Sequence, residues 1–412
     1  MRSKFSGLWQ HPDFLRLWSG QTISVFGSMV GGTAMTFTAI LVLQATPLQM
    51  GILNVMQLVP AVLAGLFAGA WVDRLRRRPL LIGADLGRAL VLVTIPLAAW
   101  LGMLHIAQVY AVALVVSILT IIFNVAYESY LPGLVGKDDL LEGNSKLSAS
   151  AAVAEFGGFS IAGWLVQVLT APFAILIDAG SFVVSAITVK LIRAREPAVV
   201  ASSHPNVIGE IREGLKIVQQ HPLLRASAAA VLVHGLSGGT FGALVVLYMS
   251  RGLGFSPGVL GMIWALGGLS SFLGAALAPR FNLRLGFGPA MCAGLGIYGL
   301  SQSLIPLASG ATWISAALLV GQQLGDGFYT LYAINQVSLR QAIAPEHVLG
   351  RVNASFQFFD LGATLVGSLL GGILGELLGL RLVLAFGAGG TLLSALVLGL
   401  SPVRRLKEIP AV

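Results

Sequence analysis

Charge is what this sequence has least of. Asp, Glu, Lys and Arg together make up 10% of its 412 residues, where an ordinary soluble domain carries about 25%, so a surface built to meet water on all sides is excluded. Cysteine is nearly missing as well: the single Cys292 rules out a disulfide framework and a thiol metal cluster. No G-x-x-x-x-G-K phosphate loop occurs, so any work the protein performs draws on an ion gradient rather than on its own nucleotide hydrolysis. His105, His204, His221 and His347 form no ligand-like grouping. Neither a metal nor a cofactor is expected.

Apolar side chains fill the space that charge leaves, at 56% of the chain. Glycine is also heavy, 51 positions or about 12% against a usual ~7%, which in a membrane reads as helix surface that allows close approach. A spanning helix needs about 20 mostly apolar residues, and twelve such runs fit: 14–43, 50–72, 80–103, 107–131, 145–168, 172–192, 223–249, 258–279, 287–307, 313–339, 353–374 and 382–400. A basic segment precedes the first run without a small-residue cleavage site, so that run is expected to be retained.

With the N-terminus inside, the outer connections hold only Arg251 and Arg381. Arg88 lies within a span, and the other 22 of the 25 basic residues sit at the inner face or its helix ends. The excess of inner positive charge sets the orientation: a multi-pass protein of the plasma (inner) membrane with both termini cytoplasmic. The net charge of +8 is then topological, and no nucleic-acid partner is implied. The partner is the lipid bilayer, and nothing calls for more than a monomer.

The longest inner connection divides the chain into an N-terminal half (1–192), a cytoplasmic linker (193–222) and a C-terminal half (223–412). In the linker, "NVIGEIREGLKIVQQHP" puts Ile208, Ile211, Leu215 and Val218 on one stripe and Glu210, Arg212, Glu213 and Lys216 elsewhere, the pattern of an amphipathic surface helix. Such a helix can tie the halves together or bind a partner. Sliding the chain by 209 residues aligns three helix pairs: "GADLG" with "CAGLG", Asn144, Gly158 and Gly163 with Asn353, Gly367 and Gly372, and "DAGSFVVSA" with "GAGGTLLSA". The expected fold is therefore all-α and integral to the membrane, twelve helices in two six-helix pseudo-repeats around a central cavity, working by alternating access.

Between spans two and three lies the densest charge in the chain, "GLFAGAWVDRLRRRPLLIGADLGRAL". Gly69, Asp73, Arg74, Arg77 and Arg78 resemble the loop signature of the major facilitator superfamily, with Arg76 where the family has a second glycine. The wider set "FLRLWSGQTIS", "AILIDAGSFVVSA", "LGRVNASF" and "SPVRRLKEIP" resembles the branch that includes macrolide efflux proteins and the enterobactin exporter, over essentially the full length. One position departs: Gly158-Phe159 stands where that branch has Gly-Pro. The resemblance implies a conformational latch, in which Asp73 meets the start of the eleventh helix after "PEHVLGRVN" and an arginine meets Glu128. Physically, a carboxylate can accept from free N–H groups at a helix start, and arginines can find a carboxylate or a helix C-terminus. The alternative is that the arginines are topology signals alone.

Ionisable groups inside a membrane are costly and default to functional candidates. Glu155, Asp178, Asp326 and Asp360 lie well within spans, and Asp85 with Arg88, three apart, share one face of span three. Asp326, mid-span in "QQLGDGFYTLYAINQ", is the first candidate for proton coupling, because a carboxylate in low dielectric can hold and release a proton. Asp85 and Arg88 either take part or neutralise each other. The resemblance implies that helices one, four, seven and ten line the cavity, which selects Gln21, Met35, Phe37, Asn124, Tyr127, His234, Phe241, Tyr329 and Asn335. Aromatic, methionine and amide groups suit an amphipathic organic molecule better than a sugar. In span seven the glycines of "HGLSGGTFGAL" suggest a bend or gate.

Two enzyme-like strings are accidents of glycine content. "GLGIYG" and "GLSGG" match dinucleotide and nucleophile-elbow patterns but lack the strands those motifs need, and no catalytic set is assembled. Three functions fit: a proton-driven secondary exporter of amphipathic molecules of drug or siderophore type, a nutrient importer on the same scaffold, and a membrane sensor without transport.

Overall fold

Most of the helices follow from the apolar runs, several of them opened by proline and three of them closed by glycine. The computed structural model describes residues 7–72, 76–136, 139–194 and 207–409. The first helix, α1, runs Pro12–Phe37 and widens into a π-helical turn over Thr38–Val42; α2 is Pro47–Val72, α3 Arg77–Trp100, α4 Ile106–Val135, α5 Leu140–Leu169 and α6 Ala171–Lys190. An inner helix α7 (Val207–Gln220) precedes α8 (Pro222–Leu247), which ends in its own π-helical turn, Tyr248–Gly252. Then come α9 (Pro257–Leu285), α10 (Phe287–Gln302), α11 (Trp313–Ile343), α12 (Glu346–Leu378) and α13 (Leu380–Gly399). Gly286 and Gly379 end α9 and α12 with φ of 88° and 84°, a left-handed turn that a side chain resists, and each passes the chain directly into the next helix.

Among the described residues nine helices are long and apolar enough to cross a membrane, and two shorter apolar stretches cover 47–63 and 160–169. The expected tenth span, α11, has 31 residues, ample length. It falls short in apolarity because Gln322, Gln323, Asp326, Asn335 and Gln336 interrupt it. Several helices exceed their sequence spans, α12 by most: 33 residues make roughly 50 Å at ~1.5 Å per residue, more than a ~30 Å hydrocarbon core. Its polar first turns account for the excess.

The chain forms two compact units. One comprises 1–44, 59–205 and 257–261, the other 45–58, 206–256 and 262–412. Within the first, α1 packs on α5 and α6, and α3 on α4 and α6. Within the second, α8 packs on α12 and α13, and α10 on α11 and α13. The pairing scheme is the same in both. The linker helix belongs to the second unit: Val218 is buried with Leu224, Val231, Val352 and Phe356, Glu213 pairs with Arg351 at 2.6 Å, and Gly214 lies against the Arg351 backbone. Val218 of the stripe thus meets protein, and that docking explains why so short an amphipathic helix is ordered. Arg251 and Arg381 donate to the carbonyl oxygens of Ala45 (2.8 Å) and Pro306 (2.5 Å).

The span-seven glycines make a seam. From Pro222 to Leu247 α8 is unbroken, and a Cβ on Gly235 would fall 2.8 Å from the Asp360 carbonyl oxygen of α12, while one on Gly239 would collide with that of Thr364. At these glycines the helix makes backbone-to-backbone contact with α12, closed by Thr240 donating to the Gly367 oxygen at 3.0 Å. Gly238 meets nothing within 4 Å. Gly239→Ala is therefore expected to lower the melting temperature clearly. Gly238→Ala is expected to be neutral or to stabilise by up to about 1 kcal/mol through helix propensity. A thermal melt in detergent checks the pair, and equal effects at both positions contradict the seam.

Candidate functional site

In the first unit the intramembrane charges converge. Asp85 and Arg88, one helical turn apart on α3, form an ion pair, with exposures of 0% and 3%. The Arg88 guanidinium lies 3.9 Å from the Phe182 ring centre and 4.5 Å from that of Phe123, and it approaches the Thr120 hydroxyl at 3.4 Å. Asp178 of α6 feels the same guanidinium and accepts from Ser28 of α1 at 3.3 Å. Gly31 admits it: a Cβ there would collide with the Asp178 carboxylate. Asp85 is thus paired directly with an arginine whose charge Asp178 also feels, in a buried interior where geometry and hydrogen bonds must offset desolvation.

In the second unit an acid and an aromatic cluster meet on α11. Asp326 is half-buried, accepts from the Gln322 amide at 3.1 Å and faces Gly267 of α9, where a Cβ would lie 2.6 Å from its Oδ2. One turn further, Tyr329 is 5.2 Å from His234 and 4.8 Å from Tyr298, ring centre to ring centre, and Tyr332 is 6.3 Å from His234. His234 Nδ1 and the Tyr332 hydroxyl are buried without a hydrogen-bond partner among the described residues. Such groups are expensive to leave unpaired, and they offer polar contacts within an otherwise apolar surface. Asp360, exposed on α12, is 3.4 Å from the Cβ position of Gly235.

A helix carrying an acid in a lipid-like interior, packed in a scheme shared by two units, is the architecture of a carrier. The family model for transmembrane secretion effectors matches residues 3–411. The chain belongs to the major facilitator superfamily. It is 26% identical over 361 residues to the uncharacterized MFS-type transporter YfiS of Bacillus subtilis, covering 86% of this chain and 84% of that protein. It is 24% identical over 344 residues to macrolide efflux protein A of Streptococcus pyogenes, covering 82% and 83%. Its fold is similar to that of the nucleoside transporter NupG, with a TM-score of 0.72 over 94% of this chain and 98% of that one at 15% identity. It is a membrane-embedded transporter of the major facilitator type, and no catalytic activity is indicated.

Of the superfamily's loop residues, Asp73 and Arg74 lie outside the described residues, and Gly69 is placed only as part of α2. Arg77 and Arg78 begin α3, and Arg78 donates to the Lys190 oxygen at 2.5 Å, the C-terminal contact with α6 that a helix dipole favours. Glu128 is exposed and has no ion pair among the described residues. The Glu155 side chain is likewise outside them.

The cavity candidates separate by packing. His234 and Tyr329 come together as described. Tyr127 stacks on Phe123 at 5.9 Å, beside Arg88, and its hydroxyl and Gln21 Oε1 have no hydrogen-bond partner among the described residues. Asn124 is exposed. Met35, Phe37 and Phe241 are buried in helix packing, and Asn335 exchanges paired amide hydrogen bonds with Asn282 of α9 at 2.8 and 2.9 Å. Sequence reasoning missed Tyr298, Tyr332 and Asn282. Tyr332 was accessible, being three residues from Tyr329 on one helix face. Nothing in the sequence marks Asn282.

Proposed function

We propose that the protein is a secondary exporter of amphipathic organic molecules of drug or siderophore type, driven by inward proton flow through alternating access of two six-helix pseudo-repeats. The reading rests on one observation above the rest: an acid, Asp326, stands one turn from an aromatic cluster with unpaired polar atoms on a helix otherwise committed to packing. An acid that binds either a proton or a substrate group exchanges one for the other, and that exchange is coupling. Aromatic faces bind apolar and cationic bodies alike. Export is favoured because a relative matched over most of its length is a macrolide efflux protein. The common pairing scheme of the two units supports the pseudo-repeat.

In this reading Asp73 with Gly69, Arg74, Arg77, Arg78 and Glu128 forms the inner latch, and Asp85, Arg88, Glu155 and Asp360 are secondary candidates for the proton path. The protein sits in the plasma membrane as a monomer with both termini inside. Direction is tested with a labelled amphipathic quaternary amine, whose fixed charge prevents passive trapping by pH, in inside-out vesicles with an acid interior. Accumulation that a protonophore abolishes is expected; accumulation only in right-side-out vesicles makes the protein an importer. Asp73→Asn is expected to reduce the flux at least about tenfold while leaving the melting temperature within a few degrees. Flux unchanged by that substitution removes the latch.

A further inference from the structure

Asp178 stands near the middle of α6 and is 4% exposed, yet among the described residues it makes no ion pair. Its side-chain partners are hydroxyls. Ser28 of α1 donates to Oδ1 at 3.3 Å, and Ser181, one turn along α6, approaches the same oxygen at 3.5 Å, both longer than the roughly 2.5–3.0 Å of a normal O–H···O bond. The Ser181 hydroxyl is already committed to the Asp178 backbone oxygen at 2.8 Å. Glycines bring α1 onto this face: a Cβ on Gly31 would collide with the Asp178 carboxylate, and one on Gly27 with Ser181.

Few charges face this acid. The helices packed on α6 are α1, α3 and α5. From α3 come Asp85 and Arg88, which already neutralise each other as an ion pair, while Arg77 and Arg78 stand at the inner start of that helix. From α1 the ionisable groups are Asp13 and Arg16, paired in its first turns. From α5 they are Glu142 and Lys146, paired near its start, and Glu155, whose side chain lies outside the described residues. Lys190 ends α6 itself, and the π-helical turn after α1 carries no ionisable group. On the far side of Arg88, α4 contributes Thr120 and Tyr127, and its Glu128 is exposed. One buried cation thus stands against two buried carboxylates. A carboxylate left charged and unpaired at this depth is costlier than one that neutralises by taking a proton.

The guanidinium is not fully used either. Arg88 Nη2 donates to Asp85, and Nη1 approaches the Thr120 hydroxyl at 3.4 Å. Arg88 Nε and Asp85 Oδ2 are buried with no hydrogen-bond partner among the described residues. A guanidinium carries its N–H donors in a fixed fork, so one donor is held in reserve. Its central carbon lies 3.9 Å from the Phe182 ring centre, and Phe182 is four residues from Asp178, the next turn of the same helix face. A slide along that ring brings the fork to Asp178 without loss of its aromatic support.

We propose that Asp178 is a proton-binding site of the first unit, holding a proton while Arg88 pairs with Asp85 and releasing it when Arg88 turns its spare donor to the new carboxylate. In the protonated form Asp178 donates to Ser28, whose hydroxyl accepts as readily as it donates. On release the O–H bond of Asp178 breaks, the proton passes to water, and the electron pair stays on a carboxylate that the guanidinium then meets. That this proton is carried in the transport cycle, in addition to the one assigned to Asp326, rests on the exporter reading.

The test uses the full-length protein in lipid at neutral pH, read by the infrared carbonyl stretch of protonated carboxylic acids. Subtracting Asp178→Asn from the wild type is expected to leave one such band, which shifts on exchange into heavy water. Subtracting Asp85→Asn is expected to leave the same band, because Arg88, freed of its ion pair, takes Asp178 as an anion. A wild type without the band, or a band that survives in Asp85→Asn, overturns the proposal. Asp178→Asn replaces a neutral acid by an amide of the same shape, so it is expected to melt within about two degrees of wild type. A loss as large as that of Arg88→Ala shows a charged Asp178 and equally overturns it. In proteoliposomes the wild type is expected to move one proton more per substrate than Asp178→Asn, and an equal ratio removes the proton from the cycle. Substrate movement with no proton flux in the wild type brings down the exporter reading instead, and the infrared band still decides whether Asp178 holds a proton.

Discussion

Asp326→Asn is expected to reduce uphill, proton-dependent efflux about a hundredfold while downhill exchange of substrate continues. The substitution is close to isosteric, and an Asn oxygen can still accept from the Gln322 amide that approaches Asp326 at 3.1 Å. Fit matters here, because Gly267 leaves no spare volume: even its own absent Cβ would come within 2.6 Å of Asp326. What the amide cannot do is carry a proton. Binding and alternation therefore persist while coupling is lost, which separates this effect from unfolding and from a damaged substrate surface. Counterflow and pH-driven accumulation measured on the same proteoliposomes distinguish the two. If accumulation survives, the coupling acid lies elsewhere, with Glu155 and Asp360 next in line.

Removal of the arginine in the other unit is expected to cost the fold itself. Arg88 is 3% exposed and serves both Asp85, at 0%, and Asp178, at 4%. Arg88→Ala leaves two carboxylates in a dry interior with no cation, and breaking a buried pair in this way costs about 3–5 kcal/mol. Lysine is a poor substitute, since the planar guanidinium lies over Phe182 at 3.9 Å and an ammonium cannot stack in that manner. The expected order of melting temperature in detergent is wild type, then Arg88→Lys, then Arg88→Ala. Adding Asp85→Asn and Asp178→Asn to Arg88→Ala should restore much of the loss. An Arg88→Ala protein that melts within about two degrees of wild type, well inside the shift such a loss implies, shows that water reaches the cluster and that its carboxylates do not depend on the arginine.

Much of the architecture was legible because the membrane makes sequence simple. Long apolar runs had to be helices, and Asp85 with Arg88 had to share a face once span three was a helix. The α8 glycines show the limit: their spacing is equally that of a hinge and of a seam, and the seam becomes visible only through Asp360 and Thr364 of α12 within contact distance of Gly235 and Gly239. Asp178 shows a related limit. Its helix is not among those the resemblance assigns to the cavity, and its electrostatic interaction with Arg88 depends on how α3 and α6 pack, which no local pattern encodes. The same holds for His234 and Tyr298, brought to Tyr329 of α11 by α8 and α10.

The central claim is that substrate leaves because protons enter. The most direct measurement records both fluxes at once in proteoliposomes of the purified wild type, with an imposed pH gradient and a fluorescent amphipathic quaternary amine. The account predicts substrate movement against its own gradient, opposite in direction to the proton flux, and loss of both coupled fluxes in Asp326→Asn. Substrate movement that follows only its own gradient, with no proton flux in the wild type, contradicts it.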